Sequence, residues 1–84
     1  MGSRFLNIGY GNLVLIEKIV AIVKPTSSPI KKVRTEARKS GRLIDATFGR
    51  KTRSVIFMES EHIILSALKP ETIMERVEEK TFKD

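Results

Sequence analysis

The apolar residues of this chain come in short runs, and each run ends at a turn former or a charged pair. Leu13 to Ile16 and Ile19 to Val23 are split by Glu17-Lys18, and Pro25 stops the second. Phe5 to Ile8 runs into Gly9-Tyr10-Gly11-Asn12, Leu43 to Phe48 into Gly49, and Ser54 to Met58 into Glu59-Ser60-Glu61. His62 to Leu68 ends before Lys69-Pro70. Runs this short, rich in β-branched side chains and bounded by Gly, Pro, Asn and Ser, read as strands. None approaches the roughly 18–20 apolar residues that a membrane-crossing helix needs. No signal-peptide pattern follows Arg4, so a cytoplasmic protein is expected.

Two segments break the strand rhythm. Ser28 suits an N-cap, Pro29 the first helical position and Gly41 the left-handed residue after the end, so a helix is predicted between them. Ile30, Val33 and Ala37 give it one narrow apolar stripe. A second helix opens at Pro70-Glu71, with Ile73 and Val77 inward and Met74 beside them, and residues 81–84 are expected to fray. The predicted fold is α+β: one domain over residues 1–84, a small antiparallel or mixed sheet, one central helix and one C-terminal helix. Leu43–Phe48 and Ser54–Met58 are expected to pair as a β-hairpin with the tip Gly49-Arg50-Lys51-Thr52.

A core from 84 residues is small, and with no cysteine and one histidine neither a disulfide framework nor a Cys or His metal cluster can support it. Association with further copies is the expected support. The charge is unevenly placed. Residues 1–53 carry 12 Lys/Arg against 3 Asp/Glu, a net +9, and residues 54–84 carry 4 against 7, a net −3. A basic part joined to an acidic part points to a polyanion partner for the first and a scaffold or subunit-facing role for the second.

Chemistry finds little purchase. His62 has only Glu59 and Glu61 as carboxylates near it in sequence, and Ser60 and Ser66 are nucleophiles by type alone, so an exposed or strand-end histidine is the better reading and the chain is read as a non-enzyme. Gly9-Tyr10-Gly11 lacks the third glycine of a dinucleotide loop, position 14 being Val, and leads into a strand rather than a helix. No cofactor, metal or small-molecule substrate is expected.

Basic residues supply the binding candidates. Arg50, Lys51 and Arg53 lie within one projecting segment, and Lys18 sits at a bend that could join the same surface. The first helix presents Lys31, Arg34, Arg38 and Arg42 in a row with only Glu36 as an acid. It is either a phosphate-contacting face, with Arg34 and Arg38 as secondary candidates, or a solvated one. Tyr10 and Phe48 are the only aromatics near turns. With no aromatic platform expected, duplex DNA is favoured over single strands or RNA.

Leu6-Asn7-Ile8-Gly9-Tyr10-Gly11-Asn12, Ser27-Ser28-Pro29-Ile30-Lys31, Leu43 through Arg50 and His62 through Ala67 with Pro70-Glu71-Thr72 together resemble the RemA family of bacterial regulators of extracellular-matrix genes. The resemblance implies a transcriptional regulator with a fold like LytTR-type DNA-binding domains. It also implies ring-shaped homo-oligomers that bend or wrap promoter DNA and contact it through Lys18, Arg50 and Lys51, with Pro29 needed for function. Family members often carry arginine where this chain has Lys18 and Lys51. Lysine is a point charge rather than a planar fork, which favours phosphate over base contact there. The alternative, from another class, is an interaction module whose basic face meets an acidic protein or a membrane surface.

Overall fold

The computed structural model describes residues 4–82. Their order is β1 (Phe5–Asn7), β2 (Leu13–Leu15), a 3₁₀ turn (Ile16–Lys18), β3 (Ile19–Val23), α1 (Ser28–Lys39), β4 (Leu43–Asp45), β5 (Ser54–Met58), β6 (Ile63–Ser66) and α2 (Pro70–Phe82). This is the expected α+β class, and the sheet is mixed. β3, β5, β6 and β4 lie side by side in that order, with β3–β5 and β5–β6 antiparallel and β4–β6 parallel. β1 and β2 form a separate antiparallel pair.

Side-chain alternation divides the four-stranded sheet into two buried faces. Val55, Ile63 and Leu65 point to one side and pack with Ala37, Val33 and Ile30 of α1. Ile56 and Ile64 point to the other and pack with Leu6, Ile8 and Val14 of the β1–β2 hairpin and with Ile73 of α2. A sheet covered on both faces explains why β5 and β6 are nearly continuous apolar runs instead of alternating with polar residues.

Two serines interrupt those runs, and both are satisfied inside. Ser66, fully buried, donates from Oγ to the Ile8 carbonyl at 2.7 Å and accepts from the Leu68 amide at 3.0 Å. Ser54, equally buried, donates to the Leu68 carbonyl. The β1–β2 hairpin is thereby fastened to the end of β6.

The first helix ends as its sequence demands. Gly41, at φ 76°, closes α1 with its amide on the Arg38 carbonyl (3.3 Å) and the Arg42 amide on the Ala37 carbonyl (2.8 Å), which occupies two of the last free carbonyls. The start differs by one residue: Ser27, not Ser28, is the N-cap and accepts from the Ile30 amide at 3.4 Å, so Pro29 is the second helical residue. Either position suits proline, whose missing N–H has no intrahelical partner in the first turn.

Two other expectations are corrected. Residues 43–48 and 54–58 do not form a hairpin. The strand stops at Asp45, and β6 lies between β4 and β5. Local signals cannot tell a neighbour from a next-but-one strand, and here parallel pairing of Leu43, Ile44 and Asp45 with Ile63, Ile64 and Leu65 wins. Residues 46–53 therefore form a loop straddling the end of β6, held by Ala46 N–H to the Leu65 carbonyl and Arg53 N–H to the Ser66 carbonyl, each at 2.9 Å. Met74 is 54% exposed and does not join Ile73 and Val77 against the core. The second helix runs from Pro70 to Phe82, and residues 83 and 84 lie outside the described residues.

Candidate nucleic-acid interface

The loop 46–53 is shaped by its first and middle residues. Asp45 Oδ1 accepts from the Thr47 amide (2.9 Å) and the Thr47 hydroxyl (2.6 Å), which turns the chain out of the sheet plane. These two bonds, the hydroxyl first, hold the Asp45 carboxyl below its ordinary pKa; burial opposes them, and the charges of Arg34 and then Arg38 each add less to the lowering than burial takes away. Phe48 (φ 55°) and Gly49 (φ 80°) then take left-handed backbone, and the Arg50 amide closes the turn on the Thr47 carbonyl at 3.0 Å.

The chain beyond, Arg50, Lys51 and Arg53, is exposed at the end of the sheet where β5 begins and β6 finishes. Two cations that sequence reasoning did not single out arrive there from other elements. Lys24 follows the last residue of β3, and Lys69 precedes α2; both line one cleft with Lys51 and Arg53. Glu71 is the only acid in that lining. Among the described residues the ion pairs are Arg4–Glu17 and Lys18–Glu59, so none of these five cations is paired. Antiparallel pairing of β3 with β5, which sets Val23 beside Val55, brings Lys24 to this pole. No local sequence signal announces it.

Lys18 is elsewhere. It precedes β3, whose first residue Ile19 pairs with Met58, the last of β5. The length of β5, roughly 13 Å at about 3.3 Å per residue, thus separates Lys18 from the pole, and the expected single cluster of Lys18 with Arg50 and Lys51 does not exist within one chain. Lys18 Nζ instead pairs with Glu59 at 3.0 Å on the surface. The row on α1 is also divided. Arg42 is used structurally, donating to Ser40 Oγ and the Glu61 carbonyl at 2.8 Å each. Arg34 and Arg38 lie near enough to Asp45 for their charge to help lower its pKa, without an ion pair to it among the described residues. Pro29 is exposed in the first turn of α1, which opens from the loop after Lys24.

The aromatics overturn the expectation of no platform. Tyr10, in the turn between β1 and β2, and Phe48 stack with ring centroids 5.3 Å apart and planes 23° apart. Their turns are 34 residues or more apart in sequence, and the Asn12 side-chain amide spans them, donating to the Gly9 carbonyl at 2.9 Å and the Ala46 carbonyl at 3.4 Å.

At the opposite end Ser60 Oγ and His62 Nδ1 lie 2.8 Å apart. Among the described residues no carboxylate bonds to the ring, and Glu59 is engaged by Lys18, so the orienting acid of a hydrolytic triad is not assembled there. No group of three or more potential metal ligands occurs among the described residues, and no helix is long and apolar enough to cross a membrane. An open apolar groove runs between the β1–β2 hairpin and the β4 edge, with Phe5, Leu13 and Ile44 each about half exposed along it.

Residues 5–77 match the family described as "Extracellular matrix regulatory protein A-like", RemA-like for short. A protein of Thermodesulfovibrio yellowstonii is 60% identical over 74 residues, covering 88% of this chain and 87% of the relative. One of Geobacillus sp. (strain WCH70) is 54% identical over 77 residues, 92% and 88%. One of Cyanothece sp. (strain PCC 7425) is 55% identical over 76 residues, 90% and 84%. All three carry the description "Putative regulatory protein".

Proposed function

The chain belongs to the RemA-like family, and from that premise we propose that it is an oligomeric regulator that binds duplex DNA and controls extracellular-matrix genes, those of a biofilm matrix. The observation that carries this reading is the cation pole: Lys24, Lys51, Arg53 and Lys69, from three separate segments, line one cleft at the end of the sheet with Arg50 next to Lys51 in the chain, and among the described residues none of the five is in an ion pair. Stability alone gives no reason to collect unpaired like charges, whereas a phosphate backbone rewards it through release of counterions.

One pole engages few phosphates. Repetition around a closed homo-oligomer multiplies the contacts and suits a duplex that bends along the array. The half-exposed apolar residues Phe5, Leu13 and Ile44 offer surface for the subunit contacts that such a ring needs. Lys18 joins the DNA surface in this scheme only by lying beside the pole of the neighbouring subunit. Action on promoter DNA places the protein in the cytoplasm at the nucleoid, with no cofactor.

A salt-titrated anisotropy measurement on curved and straight duplexes tests the reading. The wild type is expected to bind with a steep salt dependence, and Arg50→Ala to lower the log–log salt slope by about 0.9 for each engaged subunit while the oligomer keeps its size. Absence of binding at low salt, or an Arg50→Ala slope equal to wild type, overturns it.

A further inference from the structure

We propose that Phe48, backed by Tyr10, is a wedge that inserts at a base step of the bound duplex and fixes where the DNA bends. The inference rests on the DNA-binding reading above and adds to it a contact with the bases. Phe48 is 78% exposed and Tyr10 51%, so among the described residues much of the stacked pair, and most of Phe48, is left open. Both residues hold φ 55°, a left-handed conformation that bulky L-residues rarely adopt. Such conformations persist only where the surroundings impose them, and they cluster at functional sites.

Here the surroundings do impose them, from both sides. Gly9 N–H bonds to Asn7 Oδ1 at 2.7 Å and Asn12 N–H to the Gly9 carbonyl at 3.0 Å, which fixes the Tyr10 turn. The Asp45–Thr47 bonds and the Arg50 amide fix the Phe48 turn. Asn12 joins the two. Two pinned loops thus hold two rings in contact and pointing into solvent.

The neighbours say which partner fits. Gly49 and then Arg50 and Lys51 follow Phe48 directly, Glu71 is the single acid lining the cleft that Lys51 shares with Lys24, Arg53 and Lys69, and the Asp45 carboxylate at the base of the Phe48 turn is engaged by Thr47. An apolar aromatic tip next to several cations suits stacked bases flanked by phosphates; in a duplex the base faces lie inside the stack, so the ring reaches them only by entering between two base pairs. Apolar wedges placed this way unstack a step and kink the duplex by about 20–90°. Two copies meeting pole to pole would set like charges against each other. The role of Arg50 and Lys51 is then to hold the flanking phosphates while the ring enters, and Tyr10 keeps the ring from folding back onto the loop.

The test uses the full chain and duplexes carrying 2-aminopurine at successive steps, with a donor and acceptor dye at the two ends. Wild type is expected to raise 2-aminopurine fluorescence at discrete steps and to shorten the end-to-end distance. Phe48→Ala is expected to abolish both signals and to weaken binding about ten-fold, with the oligomer unchanged by sizing. Phe48→Asn, which suits left-handed backbone, is expected to do the same, so a folding defect cannot be mistaken for a lost wedge. Three results overturn the proposal. If Phe48→Ala binds and keeps the fluorescence rise, the ring touches no base step, while the DNA-binding reading stands. If both variants break the oligomer, the platform is a contact between copies. If the wild type binds no duplex at all, both readings fall together.

Discussion

Ser66→Ala removes a single oxygen atom from the centre of the fold, and its cost can be worked from two bonds. Ser66 Oγ donates to the Ile8 carbonyl at 2.7 Å and accepts from the Leu68 amide at 3.0 Å, with the residue fully buried. Alanine leaves both backbone groups without that partner and admits no replacement of similar reach. A buried polar group left unpaired costs about 1–3 kcal/mol, so two cost about 2–6. A chain of this size has a total stability of about 4–13 kcal/mol. The variant is therefore expected to lose a large share of it, about 3 kcal/mol, and to melt about 12–24 °C lower, taking about 4–8 °C per kcal/mol. Circular dichroism melts at matched protein concentration measure this, since association also shifts the midpoint. Ser54→Ala, which forfeits one bond rather than two, is expected to fall about half as far. The same loss loosens the turn that carries Tyr10, because Ile8 immediately precedes it, so the stacking of Tyr10 on Phe48 is expected to weaken. A Ser66→Ala melt within about 3 °C of wild type refutes the reasoning, for it shows that the two backbone groups find partners without the hydroxyl.

Other consequences are equally concrete. Thr47→Val deletes the hydroxyl bond that most depresses Asp45, so the Asp45 midpoint, followed by carboxyl-carbon NMR, is expected to move up towards the ordinary value. In the wild type the stabilisation from this carboxylate is present above its unfolded pKa and is lost as pH falls through the depressed folded one, an acid-side effect only. Ser27→Ala is expected to cost about 1 kcal/mol and Ser28→Ala less than about 0.5 in urea titrations, the reverse of what the sequence suggests. Glu59→Gln releases Lys18 from its partner. If a neighbouring copy's Lys18 reaches DNA, affinity is expected to rise by up to about five-fold, and a weaker complex would count against that placement. His62→Ala is expected to leave duplex affinity within about two-fold.

What could be read in advance divides by range. Most strand positions (Leu43–Phe48, which stops at Asp45, excepted), the Gly41 stop, the Ala37 stripe and the inward Ile73 follow from neighbours a few residues apart, and the structure bears them out. The partner of Leu43–Asp45 does not follow from such neighbours. A hairpin with Ser54–Met58 and a parallel ladder with Ile63–Leu65 satisfy the same local pattern, and the choice is made by the whole sheet. The same applies to the pole. Arg50, Lys51 and Arg53 are visible as a cluster in sequence, whereas Lys24 and Lys69 reach it only through strand register. In sequence Lys18 reads as a neighbour of that cluster because both sit at bends. The antiparallel run of β3 and β5 instead puts the two bends at opposite ends of one strand. The stacking of Tyr10 on Phe48 is the clearest case, since it depends on two left-handed backbones and an asparagine bridge that no spacing rule encodes.

The sheet has two free edges, and neither offers a long template. β4 is three residues, Leu43–Asp45. β3 has an irregular register between Ile19 and Ala21, where Val20 stands 69% exposed, and Pro25 follows soon after its end. Short and kinked margins discourage strand-by-strand growth, the route by which β-rich chains polymerise without limit. In the proposed oligomer, copies would therefore meet through side chains rather than through shared backbone ladders. Contacts of that kind fix the rotation between neighbours, and the proposed ring requires a rotation that closes, since one that does not close gives a filament.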